Sequence, residues 1–173
     1  MKKIAFLLVA VVTLAAIAYD MAATSGQVNG EATPAFVTTI PPGYRDFRWI
    51  SVSHEAGNLH SLGAVLGNDA AIKAFREGTL PYPDGTIIAA LHYRNTPSEE
   101  NDRIFGRAQS FVPGAPTNVQ FMVKDSKKYA ATGGWGFGFF IDSKPVGAAL
   151  MKSCFPCHAR EKAHDLVFTH YAP

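Results

Sequence analysis

Cysteine is scarce in this chain of 173 residues: there are two, Cys154 and Cys157. Two thiols exclude a framework of several disulfides, so a hydrophobic core, a ligand or both must hold the fold together. Charge is thin as well. Only 17% of the residues are charged and the formal net charge is +2, without the concentrated Lys/Arg surface that phosphate binding needs, which excludes a strongly basic nucleic-acid binder. Long helical periods are also missing, because 15 glycines and 11 prolines break the chain into short apolar runs, and this argues against a bundle of long helices. The remaining composition, 47% hydrophobic and 12% aromatic, excludes a low-complexity or charge-expanded disordered protein and fits one compact domain.

One longer apolar stretch stands at the N-terminus. Lys2 and Lys3 precede an uncharged run over residues 4–18 that ends in Ala16-Ile17-Ala18, the layout of an export signal. The run is shorter than the roughly 20 residues a helix needs to cross a bilayer core, which favours a cleaved signal over a permanent anchor. Either outcome exports the domain to the periplasm, free or tethered. Cleavage after Ala18 removes two of the 16 basic residues and none of the 14 acidic ones, leaving no formal charge to draw the protein to a membrane surface or a nucleic acid. Residues 19–39, rich in Ala, Thr, Ser and Gly without a steady period, are expected to form a flexible leader. Residues 40–173 are expected to form the domain.

Within that domain, Pro41-Pro42-Gly43 forms a turn, and residues 45–54 alternate from Phe47 onward as a half-buried strand does. Further strands are expected over residues 86–93, 107–112, 118–123 and 135–141. Their β-branched and aromatic residues are separated by Pro83-Asp84-Gly85, Pro113-Gly114 and Gly133-Gly134. Three short helical pieces are expected. Asn68 or Asp69 can cap one that puts Ile72 and Phe75 on a face and closes at Gly78; a second covers residues 126–131, and a third runs from Pro145 to about Lys152. The expected fold is mainly β (α+β), an antiparallel sheet with a few short helices.

The strongest chemical signal is Cys154-Phe155-Pro156-Cys157-His158, which reads C-x-x-C-H, the attachment signature of a c-type haem. Two thiols held on one turn can add to the two vinyl groups of a porphyrin, and the next residue offers an imidazole to the iron. Three plainer readings stand beside it. A thioredoxin-like pair belongs at a strand-to-helix junction, whereas this motif lies almost at the chain end. A zinc site from Cys154, Cys157, His164 and His170 has tolerable spacing but leaves the adjacent His158 unexplained. A disulfide between Cys154 and Cys157 closes too small a loop to stabilise much. Export agrees with haem attachment.

No methionine follows Met151, so a sixth iron ligand of the usual downstream kind is absent. The upstream candidates are Met122, Met151, His54, His60 and His92. His164 and His170, close along the chain, are better placed to face solvent or haem propionates. Open iron means binding or chemistry on small molecules; closed iron means electron transfer.

Blocks in a fixed order carry a family resemblance: P-P-G-Y-R-D at residues 41–46, F-R-E-G-T-L-P-Y-P-D-G-T at 75–86, V-K-D-S-K-K-Y-A at 123–130, G-G-W-G-F-G-F-F at 133–140, C-F-P-C-H at 154–158, and D-L-V-F-T-H-Y at 165–171. With these, the chain resembles the cytochrome P460 family, which includes the cytochromes c′-beta. The resemblance implies a mainly antiparallel β fold, often dimeric, with one covalent haem c, thioether bonds from Cys154 and Cys157, His158 as the proximal iron ligand, and a distal pocket. Hydroxylamine-oxidising members carry a cross-linking lysine on the strand after the D-G-T turn. Here that place falls at about Ala90, and no lysine lies between Lys73 and Lys124. His92, two residues on, shares a face with Ala90 and is the candidate distal group, with an ordinary half-buried histidine as the plain alternative.

Without the lysine the chain falls nearer the cytochromes c′-beta, which bind nitric oxide at an aromatic-lined distal face. Phe47, Phe75, Phe105, Phe111 and Phe121 are candidates for that lining, and Arg94, Arg103 and Arg107 for holding propionates. The expectation is an exported monohaem cytochrome that binds a small nitrogen oxide or other diatomic. The alternatives are an enzyme oxidising hydroxylamine or a related nitrogen compound, and a six-coordinate electron carrier with His92 or Met122 opposite His158. The sequence leaves the redox partner unspecified.

Overall fold

A computed structural model describes residues 36–172; the export signal and most of the leader expected before them lie outside the described residues. Six strands form one antiparallel meander in chain order: β1 (Arg48–Glu55), β2 (Ser61–Gly67), β3 (Ile87–Pro97), β4 (Phe111–Lys124), β5 (Trp135–Ile141) and β6 (Lys144–Pro145). The helices are short. They are α1 (Asp69–Glu77) between β2 and β3, α2 (Glu99–Phe105) between β3 and β4, and α3 (Ala148–Lys152) and α4 (Cys154–His158) after the sheet. None of them, among the described residues, is long and apolar enough to cross a membrane.

Strand alternation divides the core between the two faces of the sheet. On one face Val65, Ile88, Met122 and Phe137 pack with Ile72 of α1 and with Leu166 and Val167 of the C-terminal tail. On the other, Ala89, Leu91, Phe121 and Phe140 pack with Ile40, Tyr44 and Phe47. The first face therefore carries the site. Phe36 and Val37, placed in the leader by composition, lie along β5: Phe36 bridges Phe137, and the Val37 N–H donates to the Phe137 carbonyl at 2.8 Å.

Local chemistry explains α1 well. The Asn68 side chain accepts the Ala71 N–H at 3.0 Å, and Gly78 closes the helix with φ 64. The same Asn68 oxygen accepts the Ile87 N–H at 3.0 Å, joining the helix start to β3. Other segments differ from the expectation. Residues 107–112 and 118–123 are not two strands, because β4 runs continuously from Phe111 to Lys124, and residues 107–110 precede it. Pro113 and Pro116, which cannot donate to a ladder, sit opposite Asn95 and Tyr93 where the β3–β4 register shifts.

Strand β2 breaks the usual composition rule, since S-L-G-A-V-L-G has little β-branching. Gly67 is required there by space: a Cβ would lie 2.6 Å from Ile50 Cδ1 and 2.7 Å from Ala71 Cβ. The expected helix over 126–131 is a turn followed by a 3-10 turn at Ala130–Thr132. The third starts at Ala148, because Pro145 pairs with Phe140 in β6.

Candidate functional site

The C-terminal tail folds back over the first face of the sheet. In α4, Cys154 and Cys157 stand three residues apart, a spacing that places side chains on neighbouring positions of a helix surface. Both thiols are free; Cys154 is half-buried and Cys157 exposed. Burial, with the neighbouring Cys157, pushes the Cys154 thiol above its ordinary pKa.

His158 follows at the end of α4. Its Nδ1–H donates to the Leu166 carbonyl at 2.7 Å, which fixes the tautomer and leaves the Nε2 lone pair uncommitted. The ring lies between Phe137 and Phe168, with centroid separations of 4.9 and 4.7 Å. Burial lowers its pKa against the opposing effect of the Leu166 bond. A neutral imidazole with one nitrogen occupied by a backbone carbonyl is the state a metal ligand requires.

Beside this ring is a cavity of about 370 Å3. The tail lends it Cys154, His158 and Phe168; β3 lends Ala90 and His92; β4 lends Gln120 and Met122. Val52 and Phe168, 64% and 51% exposed, leave an apolar rim that a flat hydrophobic group would cover. The His92 Nδ1 lies 3.3 Å from the Ser61 hydroxyl. Burial lowers the His92 pKa while the Glu55 charge pulls it upward.

Cys154, His158, Ala90, His92 and Met122 thus come together, and His170 joins them on the cavity wall. Cys157, on the same short helix, is not on that wall. Met151 is buried away from the cavity, and His54 instead meets the Asn95 amide at 3.2 Å. His164 is exposed and 2.6 Å from Glu161.

Of the five phenylalanines expected in the lining, only Phe121 borders the cavity, and its ring packs with Tyr44 and Phe140 in the opposite-face core. Phe75 packs against Tyr82 and Tyr171, Phe47 belongs to the opposite-face core, and Phe105 and Phe111 are more than half exposed. Aromatic strand residues here serve the core, as their placement on both faces requires. Arg94, Arg103 and Arg107 do not line the cavity either. Arg103 bonds the Glu99 carbonyl within α2, and Arg107 bonds the Gln109 side chain. Gln120, Glu55 and Phe168 were missed from sequence. Only Gln120 carried a usable signal, being opposite Ala90 once β3 and β4 are paired.

Among the described residues no three His, Cys, Asp or Glu side chains are gathered to hold a metal ion, so the four-ligand zinc alternative has no geometric support. The residues do fit a haem: two thiols on one short helix, an imidazole with its second nitrogen free, and an apolar cavity adjoining both. No curated protein matches the chain. The family model described as cytochrome P460 matches residues 41–169, spanning the sheet, the cavity and the C-x-x-C-H motif. The chain therefore belongs to the cytochrome P460 family, whose members are haem proteins.

Proposed function

We propose that this is an exported monohaem c-type cytochrome that binds a small neutral nitrogen oxide or diatomic gas. Cys154 and Cys157 would hold the haem through thioethers, each S–H adding across one vinyl double bond, so that attachment would need no oxidant. His158 Nε2, held in its tautomer by the Leu166 carbonyl, would be the nitrogen offered to the iron. Haem, when bound, supplies an iron able to take up such a ligand.

The observation that carries this reading is the shared cavity. Cys154 and His158 adjoin the same space as Ala90 and Met122, where small and apolar side chains favour neutral ligands over ions. Ala90 stands where the resemblance puts a cross-linking lysine, so this face cannot form that bond. His92, neutral through burial and near Ser61, offers the cavity one polar ring that can hydrogen-bond a ligand or move a proton.

His92 is also what favours the second reading, oxidation of hydroxylamine, because that reaction releases protons and needs a base at the site. Purified haemoprotein decides between them. Reduced protein that binds nitric oxide or carbon monoxide without sustained hydroxylamine turnover supports gas binding. Turnover with an electron acceptor supports the enzyme, and a low-spin reduced protein that refuses carbon monoxide supports the electron carrier.

A further inference from the structure

Lys124 is a polar side chain only 6% exposed. Its Nζ lies 2.8 and 3.0 Å from the two carboxylate oxygens of Asp165 and 3.1 Å from the Gly133 carbonyl. It also stands 4.9 Å from the centre of the Trp135 ring. Asp165 is gripped from two further sides. Its carboxylate accepts the Tyr82 N–H at 2.9 Å, and its carbonyl accepts the Trp135 Nε1–H at 2.8 Å. Burial and the Asp165 charge together push the Tyr82 phenol up to about 12.

These contacts converge on an unusual piece of backbone. Asp165 and Leu166 both adopt positive φ, 50° and 68°, and neither is a glycine. A left-handed leucine persists only where surrounding contacts over-determine it. The carbonyl of that leucine is the acceptor for His158 Nδ1–H.

We propose that the buried Lys124–Asp165 pair is a positioning device for the proximal imidazole: by fixing the Asp165–Leu166 peptide it presents the Leu166 carbonyl to His158 and sets the tautomer, orientation and donor strength of Nε2. The inference rests on His158 being the iron ligand. A hydrogen bond from Nδ1–H to a carbonyl makes the other nitrogen a stronger donor, and a stronger donor favours ferric over ferrous iron. Loosening the clamp therefore raises the midpoint potential. A plain anchoring role, in which the pair only ties the tail to the sheet, lowers stability and leaves the potential alone.

The test measures the midpoint potential and the ferrous iron–imidazole stretching frequency of the holoprotein. Asp165→Asn is expected to change the ferrous-to-ferric ratio at fixed poise about tenfold, an upward shift of about 59 mV for a one-electron couple, and to lower the stretching frequency. Trp135→Phe, which removes the N–H donated to the Asp165 carbonyl together with part of the buried ring beside Lys124, shifts both in the same direction by less and serves if Asp165→Asn fails to fold. Lys124→Arg, keeping charge and reach, stays close to the parent protein. Phe140→Leu, in the opposite-face core, supplies a destabilised control whose potential does not move. Asp165→Asn and Trp135→Phe leaving the potential and frequency at parent values would overturn the clamp. His158→Gly separates the two claims: loss of the iron–imidazole band beside a silent Asp165→Asn rejects the clamp alone, whereas persistence of the band in His158→Gly rejects the ligand assignment beneath it.

Discussion

Replacing Lys124 with Met tests how much of the fold depends on its buried ion pair with Asp165. Lys124 and Asp165 are 6% and 15% exposed, so the substitution does not return a charge to water; it leaves a carboxylate mostly enclosed beside Tyr82 and Trp135. Breaking such a pair from one side costs about 3–5 kcal/mol, against about 0.2–1 kcal/mol for an exposed pair. For a domain of this size each kcal/mol moves Tm by about 3–5 °C. The single variant should therefore melt roughly 9–25 °C lower. Adding Asp165→Asn removes the stranded charge while keeping an oxygen for the Tyr82 N–H, so the double variant should recover more than about 1 kcal/mol relative to additivity. Urea and thermal unfolding of the four proteins in the cycle measure this. A coupling below about 0.5 kcal/mol, the range of independent sites, would refute the view that the pair acts as a buried unit.

His92 predicts a pH dependence. Its pKa is lowered from 6.5 by burial, so the folded protein holds fewer protons than the unfolded chain as pH falls below 6.5; the associated stability is present above that value and lost on acidification. His92→Gln should flatten this part of the stability profile, and an unchanged slope would show that the ring is not desolvated. Tyr82 acts at the other end: with its phenol raised from 10.0 to about 12, stability should fall between those values and Tyr82→Phe should lessen the fall, as alkaline titration of unfolding would show. Ala90→Leu, adding bulk to the cavity wall, should weaken carbon monoxide binding to the reduced protein about tenfold, or about 1.4 kcal/mol, without altering haem attachment; unchanged affinity would place the ligand elsewhere.

The parts legible from sequence were those whose chemistry is local. Asn68 and Gly78 mark α1 because a side-chain acceptor and a left-handed closing residue act within one turn. Strand β5 follows Gly133-Gly134 as read, from Trp135 to Ile141. Strand β2 was not legible, since its two glycines answer to neighbours far along the chain, such as Ile50 against Gly67. Helix α2 was overlooked although Ser98, the acidic Glu99 and Glu100, and Gly106 bracket it.

At the site, the three motif residues and His92 were visible as residue types. Strand alternation puts the Phe121 ring on the face opposite Gln120 and Met122, so none of the five expected phenylalanines turns its ring to the cavity. The Lys124–Asp165 pair, 41 residues apart, left no mark beyond two charges in separate blocks.

The claim on which the account turns is that Cys154 and Cys157 hold a haem covalently. Intact mass and acid–acetone extraction of the denatured, purified protein test it together. The account predicts a polypeptide heavier by one haem, its colour retained through extraction and lost when both cysteines are replaced by alanine. A colourless polypeptide with the mass of its amino acids alone, recovered from haem-competent, exporting cells, would contradict it.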